Sequence, residues 1–409
     1  MADELEPVVD KQKGEQTPGP TQTPMAEEQG AITENQGEDP EPAAEKQREP
    51  EFTEHREGQP DSIADTQETE VGSMVEKQGD SDPAADNQED DDDPKQYRTR
   101  DMLLGEITYA SAKKEDSNVL HRLTYFKKRE VFFNIIIRHE AEVKKVIARH
   151  LGLRSTAKVN VVPWQQWLYG SFNVCIKVDV ESDVKDSPTQ FMMRYALPYK
   201  IGEEPFPGNS DEKVCTEAAT YEWLRMNCPT IPIPRLYGFG LCNDKRFMSV
   251  DSLPCFKRTF QRVRRWILQW LGYEAPTRFV LEQAKPSPLS NMPYILIEYI
   301  KPEKGQMLLH TWEEGRHDPE LRSNFYRSLS KIMVSLAKVP LPRIGSFIID
   351  DDGYLRLANR PLTKELHQLE NEEIPLDIPR DVTYAHTGSY VNALLSYHYS
   401  KLRHQPNGL

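Results

Sequence analysis

Ser171-Phe172-Asn173-Val174-Cys175-Ile176-Lys177-Val178-Asp179-Val180 alternates without a break. Phe172, Val174, Ile176, Val178 and Val180 fall on one side; Ser171, Asn173, Cys175, Lys177 and Asp179 fall on the other. Side chains of an extended chain point alternately to its two faces, so the spacing predicts a half-buried antiparallel strand. A polar turn, Ser182 to Pro188, separates it from a second run, Gln190 to Leu197, and the pair reads as a hairpin.

Upstream of the hairpin, Val131 to Leu153 sets apolar residues at helical intervals and carries Gly152 near its end, which predicts one helix of about twenty residues. Downstream, Asn209 to Cys228 opens with a candidate capping box, Asn209 with Glu212, and lines Val214, Ala218, Tyr221 and Leu224 along one helical stripe. Cys228-Pro229 stops that helix, and Ile231 to Gly240 feeds a short strand. Met292 to Ile300 is almost continuously apolar, the pattern of a strand covered on both faces. Asp318-Pro319 then supplies an N-cap and a first-turn proline for a long helix whose Leu321, Phe325, Leu329, Ile332, Met333, Leu336 and Ala337 recur at three- and four-residue steps. Two short apolar runs between Ile344 and Leu357 flank Asp350-Asp351-Asp352-Gly353 and fit a second hairpin. The last fifty residues hold helical patches and no further strand pattern. The fold class is α+β.

The net charge of -14 joins two unlike parts: residues 1–100 carry 29 Asp/Glu against 9 Lys/Arg, and the rest carries 36 against 42. The first part is poor in large apolar side chains, cannot offset its chain entropy by burial, and reads as a disordered acidic tail. An acidic-x-Gln unit recurs in it at irregular intervals, as in Asp10-Lys11-Gln12 and Glu76-Lys77-Gln78, and Glu89 to Asp93 closes it with an unbroken acidic run. A solvated tail is the plain reading, and a docking segment for a basic partner the sharper one. No basic segment followed by an apolar core opens the chain, and no run of about 18 apolar residues occurs, which argues against secretion and membrane spanning. Cys175, Cys215, Cys228, Cys242 and Cys255 are odd in number and never form a C-x-x-C pair. That pattern suits a reducing, cytoplasmic compartment.

The order hairpin, helix, strand, buried strand, long helix resembles the small lobe and hinge of a kinase fold. Such a lobe needs a tight turn over the phosphates, a cation for their oxygens, a carboxylate to hold the cation, and a hinge with available backbone groups. Tyr169-Gly170-Ser171-Phe172-Asn173 offers the turn, where glycine lets amides approach a phosphate and Ser171 and Asn173 add donors. An ordinary turn reads the same way. Arg194 lies in the otherwise apolar Met192-Met193-Arg194-Tyr195, and a buried guanidinium needs a partner. Glu217 is the candidate: at roughly 100° per residue it stands within about 40° of the apolar stripe of its helix. A purely structural ion pair competes with the functional reading. Glu298, Tyr299 and Ile300, where the buried strand turns into a linker, would offer backbone groups to an adenine edge, against the reading of an ordinary core strand.

From about Phe132 onward the chain resembles the fungal branch of the aminoglycoside phosphotransferase and choline kinase-like family, in the phrases YGSFNVCI, MMRYALPYKIGEE, PIPRLYGFG, YILIEYI, TWEEGRHDPELR and VPLPRIGSF. The resemblance implies a protein-kinase-like fold: a small lobe with an antiparallel sheet and a helical large lobe. It implies ATP and magnesium as cofactors, with Gly170, Ser171, Phe172 and Asn173 covering the phosphates. Arg194 takes the part of the kinase lysine, Glu217 that of its helical partner, and Glu298, Tyr299 and Ile300 form the hinge. The acceptor is a small-molecule hydroxyl whose identity the resemblance leaves open, and no nucleic acid is expected.

The family also implies an H-x-D-x-x-x-x-N loop and a later metal-binding Asp, and neither occurs in this sequence. His317-Asp318 is better used as a helix cap, and Arg380-Asp381 has His386 where the asparagine is required. No catalytic or metal residue is therefore assigned. The expectation is a fragment that binds ATP and transfers little phosphate alone, ending at Leu409 before the loop, so that the large lobe is incomplete. The alternatives are a non-enzymatic interaction protein, or an active small-molecule kinase if the product extends beyond Leu409. The corresponding parts are a tail (1–100), a helical lead-in (101–155), a small lobe (156–300) and the hinge with the start of the large lobe (301–409). Within the small lobe, Phe256 to Leu271 carries Lys257, Arg258, Arg262, Arg264 and Arg265 with Trp266 and Trp270. This basic amphipathic helix is expected to dock between the lobes, the other reading being contact with an anionic membrane or a protein partner. The long helix from Asp318 is expected to expose an apolar patch.

Overall fold

The hairpin opened by Asn173 to Val180 sits inside an eight-stranded antiparallel sheet. The structure, a computed structural model, describes residues 98–103, 105–181 and 188–405. Residues 1–97, 104, 182–187 and 406–409, and with them the expected disorder of the acidic segment and the expected turn between the two strands, lie outside the described residues. In chain order a ribbon, β1 (Thr99–Asp101) and β2 (Glu106–Thr108), leads through α1 (Tyr109–Ala112) and α2 (Val119–Leu123) into α3 (Tyr125–Arg138) and α4 (Glu140–His150). Then come β3 (Val159–Val161), β4 (Leu168–Tyr169), β5 (Asn173–Val180), β6 (Gln190–Ala196) and α5 (Asn209–Asn227). They are followed by β7 (Leu236–Gly240), β8 (Lys245–Ser249), α6 (Cys255–Trp270), β9 (Phe279–Gln283) and β10 (Tyr294–Glu298). Last come α7 (Leu308–Gly315), α8 (Pro319–Ala337), the hairpin β11 (Ser346–Ile349) and β12 (Leu355–Asn359), α9 (Lys364–Asn371) and α10 (Thr387–His404).

The sheet order is β3-β5-β6-β10-β7-β8-β9, with β4 also paired to β5. Val174, Ile176, Val178 and Val180 are buried and alternate with half-buried residues, as the sequence predicts, although the strand begins at Asn173 and leaves Ser171 and Phe172 to the turn. Strand β10 runs between β6 and β7, and Tyr294 to Ile297 are all buried, which explains its continuous apolar run. On one face Ile176, Met193 and Leu296 pack with Phe133 and Ile136 of α3 and Val143 and Ile147 of α4. On the other, Ala196, Ile295 and Phe239 pack with Val214, Ala218 and Ala219 of α5 and with Ile349 of β11. Each such fully buried side chain contributes about 1.5–3 kcal/mol, so two covered faces supply most of the stability.

Two local expectations are corrected. The single helix from Val131 is two, because His139 leaves helical geometry (φ -112°, ψ 27°) between α3 and α4. The apolar spacing runs through the break, so both helices keep their stripe on the sheet, and periodicity alone did not reveal the kink. The capping box at Asn209 and Glu212 is also absent. Gly208, at φ +98°, is the residue before α5, and the Glu203 carboxylate accepts from the amides of Gly208 and Ser210 instead. Asn209 and Glu212 are buried and bonded elsewhere.

The cap of α8 is as predicted: Asp318 Oδ1 accepts from the amides of Glu320 (2.8 Å) and Leu321 (3.1 Å). No residue of α8 or of α6 is buried. The second hairpin, β11 and β12, also forms where expected, and Trp223 of α5 stacks on Phe347 at 5.3 Å. Among the described residues no helix is long and apolar enough to cross a membrane.

Candidate functional site

The register of the sheet places Arg194. It stands opposite Cys175 on β5 and Ile295 on β10, on the face that α5 covers. From there Arg194 Nη1 donates to Glu217 Oε1 at 2.7 Å. Lys213, one helical turn before Glu217, donates to Glu217 Oε2 at 3.0 Å and to Asn173 Oδ1 at 2.8 Å. One carboxylate is thus held by two cations, and the second cation ties α5 to the turn before β5. The three charged side chains are between 12% and 24% exposed, so the ions are only partly desolvated. Burial opposes the charge on Arg194, but the Glu217 carboxylate outweighs it and holds the guanidinium above its ordinary value. Arg194 Nε is buried with no hydrogen-bond partner.

The turn itself is closed by the Gly170 amide donating to the Asn173 carbonyl at 2.9 Å, and Leu197 donates to the Phe172 carbonyl at 2.9 Å. Lys200 Nζ donates to the Gly170 carbonyl at 2.9 Å. Burial, reinforced by Arg129 and Arg122, pushes the Lys200 ammonium down to about 8. Gly170 does not need its conformational freedom, since its φ is not positive and a Cβ there would meet nothing within 4 Å. The glycine leaves open space at the turn and is not demanded by the backbone.

A cleft of about 500 Å³ opens beside this network, lined by Phe172, by Lys213, Glu217 and Tyr221 of α5, and by Thr363 and His367. Burial pushes the His367 imidazole down to about 4, so it is neutral at neutral pH, and its Nε2 is buried without a partner. Of the expected residues, Phe172 and Glu217 line the cleft, while Arg194 stands one hydrogen bond behind Glu217 and Asn173 one hydrogen bond behind Lys213.

Glu298, Tyr299 and Ile300 are not on the cleft wall. The Glu298 amide donates to the Arg235 carbonyl at 2.8 Å, its carboxylate takes Lys304 at 3.1 Å, and the Tyr299 amide donates to the Gln190 carbonyl at 3.4 Å. Two of the three amides expected to form a hinge are therefore already used within the sheet.

Sequence reading missed Lys213, Lys200 and His367. Lys213 was within reach, since it precedes Glu217 by one turn; nothing local marks His367, which arrives from α9. The reading also missed a buried ion cluster. Arg360 forks onto Glu212, with Nε to Oε1 at 2.8 Å and Nη2 to Oε2 at 2.7 Å, and bonds Glu370 through Nη1 at 2.6 Å. Arg380 joins at Glu212 (3.2 Å) and Asn209 (2.7 Å), which gives it a structural place, while Asp381 is exposed. Among the described residues no group of three or more His, Cys, Asp or Glu could hold a metal ion. No family model, no curated protein and no solved structure matches this chain.

Proposed function

We propose that this chain binds a nucleoside triphosphate such as ATP in the cleft beside Lys213 and Glu217, in the manner of the small lobe of a kinase-like phosphotransferase. The observation that carries the proposal is the Arg194–Glu217 ion pair, extended through Lys213 to the turn at Asn173. It has the parts of a kinase ATP site in the same chain order: a glycine-bearing turn, a cation on the following strand, and a glutamate on the next helix. Arg194 and Lys213 together exceed the charge of Glu217, so the network keeps a positive excess for an anion. A cytoplasmic setting agrees with an ATP ligand and with five free cysteines.

The proposal stops at binding. Among the described residues no group of three or more His, Cys, Asp or Glu stands together to hold the magnesium that the kinase-like reading implies, so no transfer step is assigned and no acceptor is named. Calorimetry with ATP and magnesium on the full chain and on Arg194→Ala tests it. A charge-assisted hydrogen bond contributes about 1.5–3 kcal/mol, so the variant is expected to bind at least about tenfold more weakly. Absence of heat from the parent at millimolar ATP removes the proposal, and equal affinity of parent and variant moves the nucleotide away from this network.

A further inference from the structure

Helix α6 is built inside out. At about 100° per residue, Trp266, Trp270, Val263, Phe256, Ile267 and Phe260 fall in that order across one arc of about 120°. That arc faces solvent: Phe256 is 85% exposed, Trp270 74%, Trp266 63% and Phe260 60%. The opposite, mainly polar side faces the protein, where Arg258, Gln261, Arg265 and Leu268 are half-buried and Arg265 donates to the carbonyls of Pro276 (3.2 Å) and Thr277. Among the described residues nothing covers the apolar arc of this helix. An ordinary surface helix turns its apolar stripe inward, and a water-exposed stripe of this size marks a surface that something covers.

We propose that α6 is an interfacial helix that seats this chain on an anionic lipid surface. Charge flanks the apolar arc on both edges, with Arg262 beyond Trp266 and Lys257 and Arg264 beyond Phe260, and no Asp or Glu occurs from Cys255 to Tyr273. Such a helix lies in the plane of the interface, with its aromatic side chains at the depth of the headgroup and acyl boundary and its cations at the headgroups. Arg262 is partly engaged by Asp251 at 3.0 Å, whereas Lys257, exposed, and Arg264, half-buried at the edge of the arc, form no salt bridge among the described residues and are left to meet phosphate or carboxylate groups. The chain's own acidic tail matches the charge but not the apolar arc, because Phe52 is the one aromatic residue among positions 1–96. Covering two tryptophans and two phenylalanines takes apolar matter that a lipid surface supplies and the tail does not.

Sedimentation of the full chain with phosphatidylcholine vesicles, and with vesicles in which about three lipids in ten are phosphatidylserine, tests the inference. The parent is expected to partition at least about tenfold more strongly onto the serine-containing vesicles, and to lose most of that advantage in about 0.5 M NaCl. Trp266→Glu with Trp270→Glu is expected to weaken partitioning at least about tenfold. Lys257→Glu with Arg264→Glu is expected to remove the preference for anionic lipid. The substituted tryptophans are exposed, so an unchanged melting curve certifies the fold. No partitioning of the parent, or partitioning of the double tryptophan variant equal to the parent's, overturns the proposal. So does a lipid-free dimer, seen by ultracentrifugation, that the tryptophan substitutions abolish, because the face then belongs to a second copy.

Discussion

Arg360 and Arg194 are both ion-paired arginines, but they stand in different solvents. Arg360 is 3% exposed between two carboxylates that are themselves buried, whereas Arg194 is 24% exposed and its partner Glu217 keeps a second cation in Lys213. Arg360→Met is therefore expected to cost about 3–5 kcal/mol in urea denaturation, because it takes the buried cation from between Glu212 and Glu370, leaving Glu370 without an ion pair and Glu212 with only the more exposed Arg380. Arg194→Ala is expected to cost less than about half of that, so a reversal of the order would show that exposure does not govern these pairs. Two buried histidines contribute to the acid response. Burial pushes His150 down to about 3 and His367 to about 4, so both are neutral when folded and protonate near 6.5 once unfolded. The unfolded state then binds more protons as the pH falls through 6.5, and stability declines until the folded values are reached. For His367 the decline amounts to about 3 kcal/mol between pH 6.5 and 4. Denaturation at pH 7 and at pH 5 is expected to show the parent losing more stability than His367→Asn, and equal losses would clear His367 of the effect.

At the scale of elements, close approach and not backbone conformation is what requires a glycine at 238. A Cβ on Gly238 of β7 would lie 2.2 Å from His150 Nδ1 and 2.8 Å from the Phe247 carbonyl, where α4 crosses the sheet. Gly238→Ala is expected to cost about 1–3 kcal/mol and to lower the melting temperature. Gly170→Ala, in open space and without a positive φ, is expected to change stability by less than about 0.5 kcal/mol. Comparable melting shifts for the two variants would contradict the packing read here. The helix pair α3 and α4 teaches a related lesson. A seven-residue step joins Ile136 to Val143 across the break, so the stripe survives while the helix does not.

At the scale of the whole molecule, the sheet and its two covered faces form the interior, and α8 stays outside it. Leu321, Leu329, Met333 and Val334 of α8 are 40–61% exposed, in line with the apolar patch expected from the sequence. Leu329→Glu with Met333→Glu is expected to reduce binding of a hydrophobic dye and aggregation on heating, with little change in melting temperature. A large drop in that temperature would mean the stripe is packed after all. The sequence by itself determined the β5–β6 hairpin, the buried course of β10, the cap of α8 and the pairing of Arg194 with Glu217, because strand and helix periods place residues on faces and a buried charge demands a partner. The tertiary structure alone decided that Lys213 reaches Asn173, that His367 enters the cleft from α9, and that Glu212 belongs to Arg360 and not to a helix cap. It also decided that the apolar arc of α6 looks outward. Periodicity tells which residues share a face; what that face meets depends on chain segments far away in sequence, whose arrival no local pattern records.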